Sequence, residues 1–285
     1  KIPGLNEPMD YVPSQTLTYK VDSAAVVQHG VVDTADARYI LPEMTINLKG
    51  KNALGKQELI ILDMLQTNNW QRPMYYAITV SPDQFVNLSP YFQKTGMAYQ
   101  IVPMKVEKTV KAINVEKMYD NVMNKFKWGG VNEPGVYLDE NVLRMCKSYR
   151  FSVFAPLAAT LMQEGDNERA LKVLDKCMEV MTPENVPMDY TVLSIGEFYY
   201  LLGQKEKGHA VYAAVAENMM RNLDWYFRLK PDQFASVAPD LNTDLYTMQE
   251  IMRVAKEHDK ELQEKYQEEY DNFRMAYASL QKQGE

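Results

Sequence analysis

The sequence predicts an α+β chain: a small mixed α/β N-terminal part, then an all-α region of helical hairpins with a long C-terminal helix. Three observations carry this. Apolar residues alternate in the first third, the hydrophobic period turns helical after Asn114, and one pattern of large and small residues recurs between Phe154 and Val215. The expected segments are 1–112 for the mixed domain, 113–138 for a helix and linker, 139–229 for helical repeats and 230–285 for a capping helix.

In the first segment Leu17, Tyr19 and Val21 alternate, as do Met44, Ile46 and Leu48, and Met74–Val80 and Met97–Val106 are rich in strand-forming residues. Lys56 to Gln66 reads as a short helix ending at Asn68-Asn69, because asparagine tolerates the left-handed cap conformation. Pro73, Pro82, Pro90 and Pro103 keep the strands short or at edges.

Trp128-Gly129-Gly130 and Pro134-Gly135 mark a loop, after which Asp139 is placed as an N-cap, with Leu138 and Leu143 as a staple. Phe154, Leu157, Ala158, Leu161, Gly165, Ala170, Leu174 and Cys177 then follow the spacing of a tetratricopeptide repeat. Val192, Ile195, Gly196, Tyr199, Gly203, Gly208, Tyr212 and Val215 repeat it, with Thr182–Pro187 absorbing the extra length. Two units are too few for a stable array, so flanking helices must cap them. Leu245, Met248, Met252, Ala255, Leu262, Tyr266, Phe273, Tyr277 and Leu280 form an apolar stripe, which predicts one long or once-broken helix over Thr243–Gln281; a coiled-coil dimer is the alternative.

With 285 residues the chain can bury a sizeable core, and 46% hydrophobic and 24% charged residues are typical of a folded protein. No apolar run has the roughly 18 residues of a membrane span, so this fragment is expected to have no direct span. Because it opens at Lys1-Ile2-Pro3-Gly4, it is expected to be cut from a longer parent. A net charge of −7 without a basic stripe predicts no nucleic-acid partner. Cys146 and Cys177 read as two buried thiols rather than a disulfide.

Chemistry-bearing motifs are few. Gly50, Gly55 and Lys56 have P-loop spacing, but Gln57 stands where a magnesium-binding hydroxyl is needed. The expected structure there is a surface loop with Lys49, Lys51 and Lys56 solvated. His29, His209 and His258 stand alone in sequence, so no metal site or cofactor is expected. Ser194 lacks the first glycine of a nucleophile elbow. Adjacent carboxylates such as Asp139-Glu140 suit capping, and no catalytic residue is nominated. The distinctive set is Trp70, Arg72, Tyr75, Tyr76, Tyr91, Tyr99 and Trp128, with two readings open: core packing, or a surface that holds a sugar or a peptide.

The stretches TNNWQRPMYYAITV (67–80), YFQKTGMAYQIVPMK (91–105), MYDNVMNKFKWGG (118–130) and YLDENVLRM (137–145) together resemble the C-terminal region of a bacterial multi-pass membrane family, "domain of unknown function 2723". That family is similar to protein O-mannosyltransferases of the glycosyltransferase C type. The resemblance implies a membrane-embedded N-terminal part of the same protein that transfers sugar, with this chain as its non-catalytic extension on the periplasmic side. Its expected role is to bind or position an acceptor polypeptide or glycan; the alternatives are a repeat-type assembly scaffold or an unrecognised activity in the α/β part. Trp70, Arg72, Tyr75, Tyr76, Tyr91 and Trp128, with Asn141 and Arg144 of the last motif, are the candidate partner surface.

Overall fold

Alternation in the first third becomes two small antiparallel sheets. The computed structural model describes residues 12, 14–106 and 112–283 and separates a unit Lys1–Met118 from a unit Tyr119–Glu285. The opening Lys1–Gly4 and the side chain of Leu280 lie outside the described residues.

In the first unit β1 (Thr16–Lys20) pairs with β2 (Glu43–Asn47), setting Leu17 opposite Ile46 and Tyr19 opposite Met44. Met44 and Ile46 are fully buried, as the period of two requires. Between the strands runs α1 (Ser23–Gln28), capped by Asp22, whose carboxylate accepts from the Ala24 and Ala25 N–H groups. α2 (Lys56–Asn68) ends at Asn69 with φ 42°, the left-handed cap expected from sequence. Trp70 follows at φ 62°, and Asn68 closes the turn through paired hydrogen bonds with the Arg72 backbone. The second sheet has the order β3-β5-β4, with β3 (Tyr75–Ala77), β4 (Phe92–Lys94) and β5 (Ala98–Ile101). These strands are shorter than the runs that predicted them. Val80 turns back onto the Ala77 carbonyl ahead of a Pro82-led turn, and beyond Val102 the chain meets Pro103.

The Gly50–Lys56 segment corrects one expectation. Gly50 does turn, at φ 91°, but Gly55 is extended at φ −75° and serves as the N-cap of α2. Lys51 is not solvated: its ammonium pairs with Glu58 and donates to the Asp83 carbonyl at 2.9 Å. Glu58 is buried, and hydrogen bonds from Lys51 and the Gly55 N–H hold its carboxyl below the usual value. A buried, partnered acid replaces any phosphate cradle.

The second unit is built on helices. After α3 (Val115–Asp120) and a π turn, Asp139 caps α4 (Glu140–Tyr149), accepting from the Val142 N–H at 2.9 Å. α4 runs through a π turn at Arg150–Phe154 into α5 (Ala155–Gln163). Pro156 lies in the first turn of α5, and the wider π turn gives room to the carbonyl that its ring would strike in a regular helix. α5 and α6 (Asn167–Val180) form one hairpin; α7 (Leu193–Leu201) and α8 (Lys205–Tyr226) form the next. The two hairpins close alike. Gly165 N–H donates to Met162 and Asp166 N–H to Leu161; Gly203 N–H donates to Tyr200 and Gln204 N–H to Tyr199, the paired bonds of a Schellman cap. Gly165 and Gly203 supply the required positive φ, 81° and 74°.

Every large member of the two repeat sets is buried. Gly196 and Gly208 let helices approach: a Cβ on Gly196 would lie 2.5 Å from the Tyr212 ring, and one on Gly208 2.9 Å from that of Tyr200. Leu245 to Tyr266 of the apolar stripe cap the array from α9 (Pro231–His258) and α10 (Lys260–Gln283), both packed on α8. The break falls at Asp259. The helix begins twelve residues before the expected Thr243, because Pro231 occupies the first turn, where no N–H is needed, and Pro239 is carried inside. Cys146 and Cys177 are free and buried, and burial raises the Cys177 thiol to about 12.

Arg150 is 0% exposed and has no carboxylate within salt-bridge range among the described residues. Its guanidinium donates to the carbonyls of Pro187 at 2.7 Å, Val186 at 3.0 Å and Met181 at 3.4 Å. These belong to the loop between the hairpins. Asn218 Nδ2 takes the Met188 carbonyl at 2.9 Å, and Lys147 pairs with Asp189 at 2.8 Å. Arg150→Met is expected to lower stability by about 2–5 kcal/mol, since it leaves three inward carbonyls without donors. Gly196→Ala should cost about 1–3 kcal/mol through the Tyr212 clash. Urea unfolding of both variants checks this, and unchanged midpoints would refute it.

Candidate functional site

The sequence-nominated residues are distributed as follows. Trp70, Tyr76 and Tyr91 fill the core of the first unit. The Tyr91 hydroxyl donates to the Thr45 carbonyl at 2.8 Å and accepts from its N–H at 3.0 Å, so its polar tip is spent on β2. Tyr76 meets Phe85 and Phe92 edge-on and tilted, and burial pushes its hydroxyl pKa up to about 12. Arg72 and Tyr75 remain exposed, Tyr75 by 47%. Tyr75 borders an apolar cleft of about 550 Å³ shared with Ile61, Met64 and Val80. In the second unit Trp128 stacks on Phe154 at 5.5 Å and meets Tyr149 at 5.3 Å. Asn141 and Arg144 are exposed and bonded to each other at 2.9 Å. Strand alternation sends Tyr75 and Tyr76 to opposite faces, so within the first unit the set does not gather on one surface.

A different concavity lies in the second unit. α7, α8 and α9 border an open groove of about 720 Å³. Tyr190 and Tyr246, residues 55% and 64% exposed, line it. Its floor is Tyr212, whose hydroxyl donates to the Leu193 carbonyl at 3.1 Å and whose pKa burial raises. Arg253 crosses the groove, bonded to Glu250 at 2.9 Å and Glu197 at 3.3 Å, and both carboxylates raise its pKa. Ser194, unconvincing as an elbow nucleophile, points its exposed side chain into this groove from the first turn of α7. The described lining contains no histidine to pair with Ser194. A neighbouring hollow of about 520 Å³ shares Tyr190 and Thr243 with the groove and includes Asp244. Burial raises the Asp244 carboxyl, which accepts from Asn222 at 2.9 Å.

Sequence reasoning missed a polar cluster behind the groove. Asp259 accepts from the Tyr200 hydroxyl at 2.6 Å and meets His209 Nδ1 at 2.7 Å, while its other oxygen caps α10 through the Leu262 N–H at 3.0 Å. His258 stacks on Tyr200 at 5.5 Å. Histidines isolated in sequence are thus neighbours in space. The available signal was Asp259 itself, a capping residue interrupting the apolar stripe. Burial raises its carboxyl, but the hydrogen bonds from Tyr200, the Leu262 N–H and His209 outweigh this and hold it below 3.8. No group of three or more metal-ligating side chains occurs among the described residues.

An acid held down in the folded state contributes stability above its unfolded value and loses it as the pH falls through the folded one. Asp259→Asn is therefore expected to cost about 1–3 kcal/mol at neutral pH and to flatten the loss of stability below about pH 4. Urea titrations across that range measure both, and an unchanged acid limb would count against the clamp.

Comparison with known proteins adds one finding. The family model of TMEM260-associated domain 2 matches residues 3–120. No curated protein and no solved structure matches the chain significantly. Among the described residues no helix is long and apolar enough to cross a membrane. The N-terminal part of this chain is thus similar to a domain associated with a membrane-protein family.

Proposed function

We propose that this chain is the non-catalytic extracytoplasmic part of a glycosyltransferase-like multi-pass membrane protein, and that it binds or positions an acceptor polypeptide or glycan. The observation that carries this reading is the open groove of about 720 Å³ on the helical repeats, lined by exposed aromatic side chains and by polar groups. The match of residues 3–120 to TMEM260-associated domain 2 supports attachment to a membrane protein. The four motifs that resemble the O-mannosyltransferase-like family support sugar transfer by a membrane-embedded N-terminal part, with this chain on the periplasmic side of the bacterial inner membrane. On this reading bond-making belongs to that part, and this chain contributes affinity.

An assembly scaffold is the second reading. It is favoured by α2, where Leu59, Ile60 and Met64 are exposed beside the buried Leu62 and Leu65.

The full-length protein provides the test. Alkaline phosphatase fused after Glu285 is expected to be active, as it is only outside the inner membrane. Truncation before Tyr119 should abolish glycosylation of the native acceptors while sparing hydrolysis of the lipid-linked donor. An inactive fusion, or native glycosylation that survives truncation, would refute the proposal.

A further inference from the structure

We infer that the groove between α7 and α9 is a saccharide site for a neutral ligand of about two or three rings, with Tyr190 and Tyr246 as stacking platforms. The inference rests on the binding reading above and assigns its ligand class. Two tyrosines exposed by more than half border one concavity. A flat apolar face with a polar rim matches the alternating C–H and hydroxyl surfaces of a pyranose.

Charge decides between ligand classes. Arg253 is the cation of the lining, and Glu250 and Glu197 already engage it. A peptide carboxylate or a phosphate would require a free cationic fork, and would meet two carboxylates beside an occupied one. Both carboxylates line the groove and can accept more hydrogen bonds than the one each takes from Arg253, which suits a ligand rich in hydroxyl donors. Ser194 and Asn242 line the same space with no side-chain partner among the described residues, which leaves donors and acceptors for ring hydroxyls. Thr243 and Thr247, by contrast, spend their hydroxyls on helix carbonyls, at 3.0 Å and 2.8 Å. The volume lies within the roughly 300–1,000 Å³ of small-ligand clefts.

The experiment is amide chemical-shift mapping on the whole chain during titration with maltotriose, chitotriose and mannotriose, and separately with a capped, uncharged tetrapeptide of serine, glycine and asparagine. At least one trisaccharide should shift amides within 190–197 and 242–253. Tyr190→Ala and Tyr246→Ala should each weaken that binding about tenfold. Tyr246→Phe, which keeps the ring, should leave it within about twofold. Circular dichroism identical to the parent shows that the variants fold. Three results overturn the inference: no shifts with any trisaccharide, shifts outside the groove, or shifts that persist in both alanine variants. Groove binding by the tetrapeptide without any trisaccharide also overturns it while leaving the binding reading intact, whereas the truncation test can fail independently of either.

Discussion

The helical unit depends on one buried cation. Arg150 brings a permanent charge into an interior where no carboxylate of the described residues lies within salt-bridge range, and burial pulls its pKa below the ordinary value against the weaker pull of Asp189. Deprotonation is not an available escape, because a guanidinium stays charged at any physiological pH. What compensates is a ring of carbonyl dipoles from Met181, Val186 and Pro187, with the Met188 sulfur at 3.8 Å. Charge and loop satisfy each other. The loop between hairpins could not be buried without donors, and the guanidinium could not be buried without acceptors. Its Nε is the one buried side-chain polar atom left without a partner among the described residues.

That exchange explains how the array tolerates a long connection between its hairpins. The Val186 and Pro187 carbonyls turn toward the guanidinium, while Asn185 reaches the Val131 and Glu133 carbonyls, both at 2.7 Å. Tyr190 starts the short turn that follows, and its position on the groove rim depends on where this loop ends. Asp189 fixes that end by capping Thr191 at 3.0 Å and pairing with Lys147. The rim of the groove is therefore built by residues that never touch it.

Much of the fold was legible in the sequence because it rests on local rules. Asn69 as a left-handed cap, Asp139 as an N-cap and the repeated Gly165 and Gly203 all follow from what a single residue's backbone or side chain can do. The repeat spacing located the core of the second unit for the same reason. Arg150 was not legible, because an arginine within a helix reads as surface until the carbonyls that surround it are known. The groove was hidden too: its walls lie about fifty residues apart in sequence and meet only once α9 has docked. Pro239 concealed the start of that helix by resembling a breaker. The aromatic set around Trp70 illustrates the limit of alternation, which separates Tyr75 from Tyr76 but does not tell which of the two faces is covered.

The Asp259 clamp bears on how the chain matures as it is synthesised. Tyr200 and His209 are held by a carboxylate that comes 59 and 50 residues later. At roughly 5–20 residues per second the ribosome needs several seconds to supply it. During that interval the second hairpin exists with its outer face uncovered, and the last two helices act as its closing lid, so a nascent chain halted before residue 259 would present that face to chaperones rather than to a finished neighbour.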